Sequence, residues 1–310
     1  MSRLRKRVKW IFDRQWDYQY LKSVINRGYD EIENVFVGSS YVVFGINNIE
    51  KSVILALPSQ DIYYSCALLK RVLNNQDEKK IKRIIMGMGG YSLYHDLSMT
   101  KSFDENNRIF DIYYPILCDM HNMQELTYNQ TQKRFGIVDK IIRFAITKLY
   151  FRCNIETYFD KNKQSRTGKA RVTWEDKNKM WENLSEKERV AAAKKRVLQH
   201  EKMLKYEYTK EENIQTMKTI YNQCKDRNIK LYTFLAPMSE EYMNNMSEDY
   251  KNKIIEVKNV LNSFSDGFID YTIKGNIDLE IDDFVDADHL SDKGAEKFTK
   301  QIVTDWLEKD

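Results

Sequence analysis

Two serines follow a buried apolar stretch near the amino terminus, in the sequence VFVGSSYVVFGIN of residues 35–47. A serine is a poor nucleophile near neutral pH unless a base lies within hydrogen-bond reach and is itself oriented by a third group. At the start of a helix, a serine can equally serve as the N-cap. Acyl-transfer chemistry at Ser39 or Ser40 therefore requires a histidine from elsewhere in the chain.

The chain has four histidines, and one of them follows an aspartate by three residues. Asp286 and His289 lie in the stretch DDFVDADHLSDKGAEKFTKQI, just before the start of the last helical pattern. From a loop, the carboxylate can fix the imidazole tautomer while the imidazole faces a serine. His200 belongs to a charged helical stretch and His121 has no neighbour that suggests catalysis. We therefore expect Ser39 or Ser40, together with His289 and Asp286, to form a catalytic relay.

Short apolar runs predict the strands that must position these groups. They are Asn34–Val37, Ser52–Leu57, Arg83–Met86, Ile229–Ala236 and Gly267–Asp270. Helical periodicity lies between most of them, as in residues 61–73, 211–224 and 249–261. Strands that alternate with helices predict an α/β fold with a parallel sheet and helices on both faces. In such a sheet the reactive groups gather at the carboxyl ends of the strands.

Residues 98–209 do not follow this alternation. They contain helical patterns such as residues 138–151 and a polar, lysine-rich tract at 160–179, which we expect to be a loop. We predict one α/β domain with its core at about 30–97 and 210–310 and a long helical insertion at about 98–209. A basic amino-terminal segment, 1–29, precedes the core.

Gly38-Ser39-Ser40 after the first strand, together with D-x-x-H-L-S-x-x-G before the last helix, resembles the SGNH (GDSL-type) hydrolase superfamily. Within it, the pattern is similar to the branch of the D-alanyl-lipoteichoic acid transfer protein and glycan O-acetylation enzymes. The resemblance covers about 33–97 and 210–308 and implies a flavodoxin-like three-layer fold. It implies Ser40 as nucleophile, His289 as base and Asp286 as orienting acid. The implied activity is that of a serine esterase or acyltransferase on an acylated, O-acetylated carbohydrate or glycan precursor.

The resemblance also implies where an oxyanion would be bound. Ser59 stands where the family has a glycine after the second strand, and its backbone N–H could act together with that of Ser40. The family has an asparagine after the third strand, which IIMGMGGYSLYHDLS lacks. The remaining donor would be the backbone around residues 89–91, such as that of Gly90, or the Ser92 hydroxyl. Candidate substrate-binding residues are Ser39, Tyr91, Ser92 and Pro237.

The missing asparagine leaves a second function open. Loss of one oxyanion donor typically costs roughly 10²- to 10³-fold in rate. The alternative to an enzyme is a non-catalytic glycan-binding or scaffold protein of cell-surface polysaccharide synthesis. Pro237, at the end of the fourth strand, has the simpler role of halting the ladder.

Composition excludes several other classes of protein. No run of about 18 apolar residues predicts a transmembrane helix, and the basic amino terminus lacks the cleavage site of a secretory signal. The four cysteines lie far apart without a C-x-x-C pair, which argues against a zinc knuckle or a disulfide framework. We expect a cytoplasmic protein with reduced thiols and no cofactor.

The net charge of +4 is unevenly distributed. Lys161–Lys205 contains 14 Lys and Arg against 6 Asp and Glu, whereas Glu240–Asp310 contains 8 against 18. The basic tract could bind nucleic acid, but it lacks an aromatic-basic stacking motif, and a solvated helical face is the simpler interpretation. We expect no nucleic-acid partner. The first ten residues include five Lys or Arg, so at most peripheral contact with an anionic membrane is expected there, near Trp10, Ile11 and Trp16.

Two other groups of polar residues have weaker functional readings. An acidic cluster could bind a hard cation, but it lacks the fixed spacing of a calcium loop, so we expect no metal site. Its members are Asp282, Asp283, Asp286 and Asp288. His95 and Asp96 are adjacent, so their side chains point apart, and we assign them to local structure. The sequence does not predict the oligomeric state.

Overall fold

A computed structural model describes residues 3–26, 31–75, 80–100, 103–123, 141–142, 144–145 and 180–308. The chain divides into two compact units. One unit, here the helical unit, combines Met1–Arg27 with Asp96–Lys163, and the other, the sheet unit, combines Gly28–His95 with Gln164–Asp310. The predicted loop at 160–179 and most of the helical pattern at 138–151 lie outside the described residues.

The sheet unit is built on five parallel strands. They are β1 (Asn34–Gly38), β2 (Ser52–Ala56), β3 (Arg83–Met88), β4 (Lys230–Leu235) and β5 (Gly267–Asp270). Their order is β2-β1-β3-β4-β5, which is that of flavodoxin-like folds. The predicted α/β fold is confirmed, and every strand begins within one residue of its predicted start. Because β1 and β3 are buried along their whole length, they form the interior of a sheet covered on both faces.

The α-helices follow in chain order. Those described are α1 (Arg3–Asn26), α2 (Ser40–Gly45), α3 (Ile62–Asn75), α4 (Phe103–Arg108), α5 (Tyr114–Leu117), α6 (Glu186–Glu201), α7 (Glu207–Asp226), α8 (Glu240–Asn244), α9 (Glu248–Ser263) and α10 (Asp292–Ile302). The periodic patterns at 61–73, 211–224 and 249–261 correspond to α3, α7 and α9. Helix α6 lies within the predicted insertion but belongs to the sheet unit.

An aromatic cluster attaches the carboxyl-terminal helix to the sheet. Phe298 of α10 contacts Phe234 of β4 edge to face, with ring centroids 5.3 Å apart, and Tyr271 at 4.9 Å. Trp306 lies 6.0 Å from Phe234 and completes the group. Such pairs contribute about 0.5–1.5 kcal/mol each beyond the area they bury. The loop that precedes α10 is therefore anchored at the edge of the sheet.

The topology creates a crevice where β1 and β3 pair side by side. The chain leaves β1 toward β2 on one side and leaves β3 toward β4 on the other. The two connections diverge at this switch point, and ligands of open parallel sheets bind in the opening between them. Gly38 and Gly87 are paired across β1 and β3 at this edge.

The helical unit contains most of the basic amino-terminal segment. Helix α1 contacts the π-helical turn Ile109–Tyr113, which links α4 to α5, and Arg108 forms an ion pair of 3.3 Å with Asp17. Ile11 and Trp16 are buried, so these two apolar residues are not available to a membrane surface. The Trp10 side chain lies outside the described residues. None of the helices in the described part of the chain is long and apolar enough to cross a membrane.

Substitution of Gly38 tests the close packing at the carboxyl ends of β1 and β3. Its φ is +148°, and a Cβ there would lie 2.4 Å from the Gly87 carbonyl oxygen, so Gly38→Ala combines backbone strain with a backbone clash. We expect the free energy of unfolding to fall by about 3 kcal/mol. Gly275→Ala is the matched control, because Gly275 has φ +106° but open space around it. It should cost about 1 kcal/mol, and urea denaturation with equal losses for the two variants would contradict the clash.

Candidate active site

Ser40 is the first residue of α2, directly after β1. Its Oγ lies 2.9 Å from Nε2 of His289, which is 249 positions away in the sequence. Both residues are about 8% exposed. The structure therefore brings the predicted nucleophile and base within hydrogen-bond distance, in a largely buried setting.

Asp286 contacts the other side of the imidazole. Both of its carboxylate oxygens lie 3.0 Å from Nδ1 of His289. Asp286 Oδ1 also accepts hydrogen bonds from the backbone N–H groups of Asp288 and His289, at 3.0 and 2.9 Å. The carboxylate thus organises the loop and favours a proton on Nδ1. That tautomer leaves Nε2 free to take a proton from Ser40.

The H-L-S-x-x-G part of the motif is structural. Ser291 is the N-cap of α10, and its Oγ accepts from the Gly294 N–H at 3.2 Å and donates to the Asp282 carbonyl at 2.7 Å. A Cβ on Gly294 would lie 2.1 Å from the Asp283 carbonyl oxygen. The first turn of α10 can approach residues 282–283 this closely only because Gly294 has no side chain. This contact fixes one end of the loop that carries His289.

Two side chains of α2 hold the imidazole ring. The Tyr41 ring stacks on His289 with centroids 5.6 Å apart and planes inclined by 22°. Phe44 contacts the same ring edge to face at 4.9 Å. Helix α2 therefore supplies both the hydroxyl that would react and the packing that orients its base.

A second carboxylate, that of Asp288, lies close to the imidazole of His289 and is 1% exposed. Its Oδ1 accepts a 2.8 Å hydrogen bond from Nε of Arg196 on α6 and lies 3.6 Å from Nδ1 of His289. Its Oδ2 accepts from the Tyr41 hydroxyl at 3.1 Å. The sequence analysis placed Asp288 only in an acidic cluster, and it did not identify Tyr41 or Arg196. Their partners are remote in the sequence, so no local spacing could have revealed them.

His200 lies on the predicted charged helix, but the prediction that it faces solvent is wrong. It is 2% exposed, its ring stacks on Tyr91 with centroids 3.9 Å apart, and its Nδ1 lies 2.5 Å from the Tyr242 hydroxyl. Burial lowers the pKa of His200 to about 3, so this imidazole is neutral near pH 7. The reason for the error is that α6 has one buried face, through Ala193, Val197 and His200, within an otherwise charged sequence.

A pocket opens at the switch point, and in the described part of the chain it is lined by Ser39 but not by Ser40 or His289. Tyr91 lines it together with polar residues, which are Ser39, Ser59, Gln60, Asp61, Ser65, Ser92 and His95. Ser59 has φ +60°, in the left-handed region that glycine adopts most easily. The backbone at this position therefore has the conformation expected from a glycine, although the residue is a serine.

The loop after β3 is held by a hydrogen bond between two of its own residues. The Gly89 N–H donates to the Ser92 Oγ at 2.9 Å, so the Ser92 hydroxyl, as acceptor in that bond, can still donate its own proton. Gly90 packs against α9, since a Cβ there would lie 2.7 Å from Ile254 Cγ1. Of the predicted donor residues on this loop, Tyr91 and Ser92 line the pocket in the described part of the chain, and Gly89 and Gly90 do not.

The chain after β4 crosses toward the His289 loop. Pro237 is buried, the preceding Ala236 N–H donates to the Met88 carbonyl, and the Ser239 N–H donates to the Ala287 carbonyl at 3.1 Å. Pro237 thus lies between two backbone contacts and has the role of a strand terminator. It is absent from the pocket wall in the described part of the chain.

The remaining candidates have hydrogen-bond partners of their own. In the acidic cluster, Asp282 bonds Lys293 and Asp283 bonds Lys297, both at 2.6 Å. These ammonium groups lie where a cation would have to bind. Asp96 accepts from the Ser98 N–H at the turn Leu97–Met99 and also from Asn122 Nδ2 at 3.0 Å, 26 positions away, so its partners are not only local.

Substitution of Ser39 tests whether its hydroxyl has a structural role. It occupies the N-cap position of α2 without a side-chain cap bond, and its buried Oγ has no hydrogen-bond partner among the described residues. Loss of a capping serine typically costs about 1 kcal/mol, whereas we expect Ser39→Ala to leave the melting temperature unchanged or higher. Ser291→Ala, which removes a cap bond that is present, is the control and should lower it. A clear loss of stability in Ser39→Ala would show a structural role.

Comparisons of the chain with protein-family models and with curated proteins find no match.

Proposed function

We propose that the protein is a serine esterase or acyltransferase related to the SGNH hydrolases, with Ser40 as the nucleophile. One observation carries this proposal: the Ser40 hydroxyl lies 2.9 Å from His289 Nε2, while Nδ1 of the same ring lies 3.0 Å from Asp286. A nucleophile, a base and an orienting acid in this geometry are the requirements of acyl transfer through a covalent intermediate.

The reaction would begin when Ser40 Oγ attacks the ester carbonyl and His289 Nε2 takes the hydroxyl proton. Asp286 stabilises the imidazolium. The backbone N–H groups of Ser40 and Ser59 would bind the tetrahedral oxyanion, joined by the Ser92 hydroxyl. Collapse expels the alcohol, which takes the proton from His289 and leaves acyl-Ser40. Water or a sugar hydroxyl, deprotonated by His289, then attacks this ester and restores Ser40.

The substrate class follows from the resemblance, and the pocket is compatible with it. Serine hydroxyls and His95 line the opening beside Ser39 together with Ile62, Met86 and Met88, and polar groups next to apolar surface suit a hydroxyl-rich molecule that carries an acyl group. An acylated carbohydrate or glycan precursor is therefore the substrate we propose. The alternative is a non-catalytic glycan-binding protein, which is favoured by the absence of an asparagine after β3.

Ser40 and His289 predict loss of activity on substitution. Ser40→Ala should abolish both labelling by a fluorophosphonate and hydrolysis of p-nitrophenyl acetate, and His289→Ala should reduce hydrolysis by at least about 10³-fold. Ser263→Ala is the matched control, because Ser263 is exposed and bonds only the Asn259 carbonyl in the described structure. Turnover that survives in folded Ser40→Ala would exclude this mechanism. A wild-type protein that is neither labelled nor active but binds acetylated glycan would support the alternative.

The pH dependence of hydrolysis tests the base. Burial lowers the pKa of His289, but the carboxylates of Asp286 and Asp288 outweigh burial and hold the pKa above its usual value of 6.5. Only the neutral imidazole accepts a proton, so kcat/KM should rise with pH along an acid limb whose midpoint lies above 6.5. Asp286→Asn should move this midpoint to lower pH, because one raising carboxylate is removed. A wild-type midpoint at or below 6.5 would contradict the electrostatic account.

A further inference from the structure

We propose that Arg196 is a positioning residue of this site, which holds Asp288 beside His289 and sets the pH range in which the imidazole can act as a base. The inference deepens the proposed function and, for its catalytic meaning, rests on it. The evidence is the position of one carboxylate oxygen, which lies close to both the arginine and the histidine. Asp288 Oδ1 lies 2.8 Å from the guanidinium Nε of Arg196 and 3.6 Å from Nδ1 of His289.

Asp288 has little freedom to move away from this position. Its side chain is 1% exposed, its second oxygen is bonded by the Tyr41 hydroxyl, and its backbone N–H donates to Asp286. A buried carboxylate without a cation is costly, because desolvation is not offset. The Arg196 guanidinium, together with the adjacent imidazole, supplies the compensating positive charge.

Helix α6 holds the guanidinium in place. Glu201, the last residue of α6, accepts a 3.2 Å hydrogen bond from the Ser247 N–H. Ala193 and Val197 pack into the interior beside Arg196. The Arg196 side chain is about one-third exposed, so its Nε faces the buried carboxylate while the rest of the group reaches the surface.

The charges around His289 come from three elements. Asp286 and Asp288 lie on its own loop and raise its pKa, and Arg196 on α6 lowers it. His200, also on α6, is neutral because burial lowers its pKa to about 3. Tyr41 of α2 has a pKa raised by burial and stays protonated. Without Arg196, two carboxylates would act on the imidazole with no opposing charge, and His289 would remain protonated to higher pH.

The test measures the protonation of His289 directly. Protein labelled with ¹³C at Cε1 of histidine has four histidine signals to follow by NMR, and His289→Gln identifies the one that matters. We expect Arg196→Gln to raise the His289 titration midpoint by about one pH unit, and Asp288→Asn to lower it by a similar amount. Arg196→Lys keeps the charge without the planar Nε contact, and its midpoint should lie between those of the wild type and Arg196→Gln.

Arg189→Gln is the matched control, since it breaks an arginine–carboxylate pair on the same helix whose partner is Glu241. Its His289 midpoint should equal that of the wild type. An unchanged or lower midpoint in Arg196→Gln would overturn the proposal. If Arg196→Gln does not fold, the titration of Asp288→Asn tests the proposal instead. An unchanged or higher His289 midpoint in Asp288→Asn would equally overturn the proposal.

Kinetics separates this proposal from the proposed function. If the protein hydrolyses p-nitrophenyl acetate, the acid limb of kcat/KM in Arg196→Gln should move upward by the same amount as the NMR midpoint, with activity restored at high pH. A loss of activity that is equal at every pH would overturn the positioning role. If the wild type has no esterase activity, the proposed function fails, while the NMR titrations still test the effect of Arg196 on His289.

Discussion

At the carboxyl ends of β1 and β3, the structure leaves no room for a side chain on Gly38 or Gly87. A Cβ on Gly38 would lie 2.8 Å from Cγ2 of Val42, and a Cβ on Gly87 would lie 2.7 Å from the same atom. Helix α2 therefore packs directly on the end of the sheet. Because α2 is short, its position decides where Ser40, Tyr41 and Phe44 lie. The nucleophile and both aromatic supports of the imidazole thus depend on one pair of glycines.

The second constraint is electrostatic. His289 contacts two carboxylates, and the structure separates their tasks by burial: Asp286 is about one-third exposed and bonds the ring, whereas Asp288 is almost fully buried and bonds Arg196. With Arg196 protonated, the three groups leave one negative charge beside the imidazole. That charge can stabilise the imidazolium that forms when Ser40 loses its proton. Arg196 offsets the second carboxylate, so α6 is part of the site although it lies outside the alternation of strands and helices.

Much of the fold was predictable because its signals are local. Apolar runs of four to eight residues bounded by polar segments identified the strands, and helical periodicity identified α3, α7 and α9. The contact between Asp286 and His289 was predictable for the same reason, since the two residues are three positions apart and bond each other. The Gly-Ser-Ser turn was proposed on chemical grounds, because a serine nucleophile at the end of a strand needs a histidine as its base, and the resemblance selected Ser40 of the two serines. The resemblance to SGNH hydrolases added the oxyanion candidates, of which Ser92 and Ser59 line the pocket and Gly90 packs against Ile254 instead.

The residues that sequence reasoning missed have partners far away in the chain and no motif of their own. Arg196 and Asp288 are 92 positions apart, and Tyr41 and Asp288 are 247 apart. A charged helix such as α6 ordinarily faces solvent, and only the small residue Ala193 and the β-branched Val197 mark its buried face. The pattern of the sequence shows that such a face exists but not what it covers. A buried charge must be paired, so a buried carboxylate next to a predicted base predicts a cation nearby. For Asp288 that cation is Arg196 of α6.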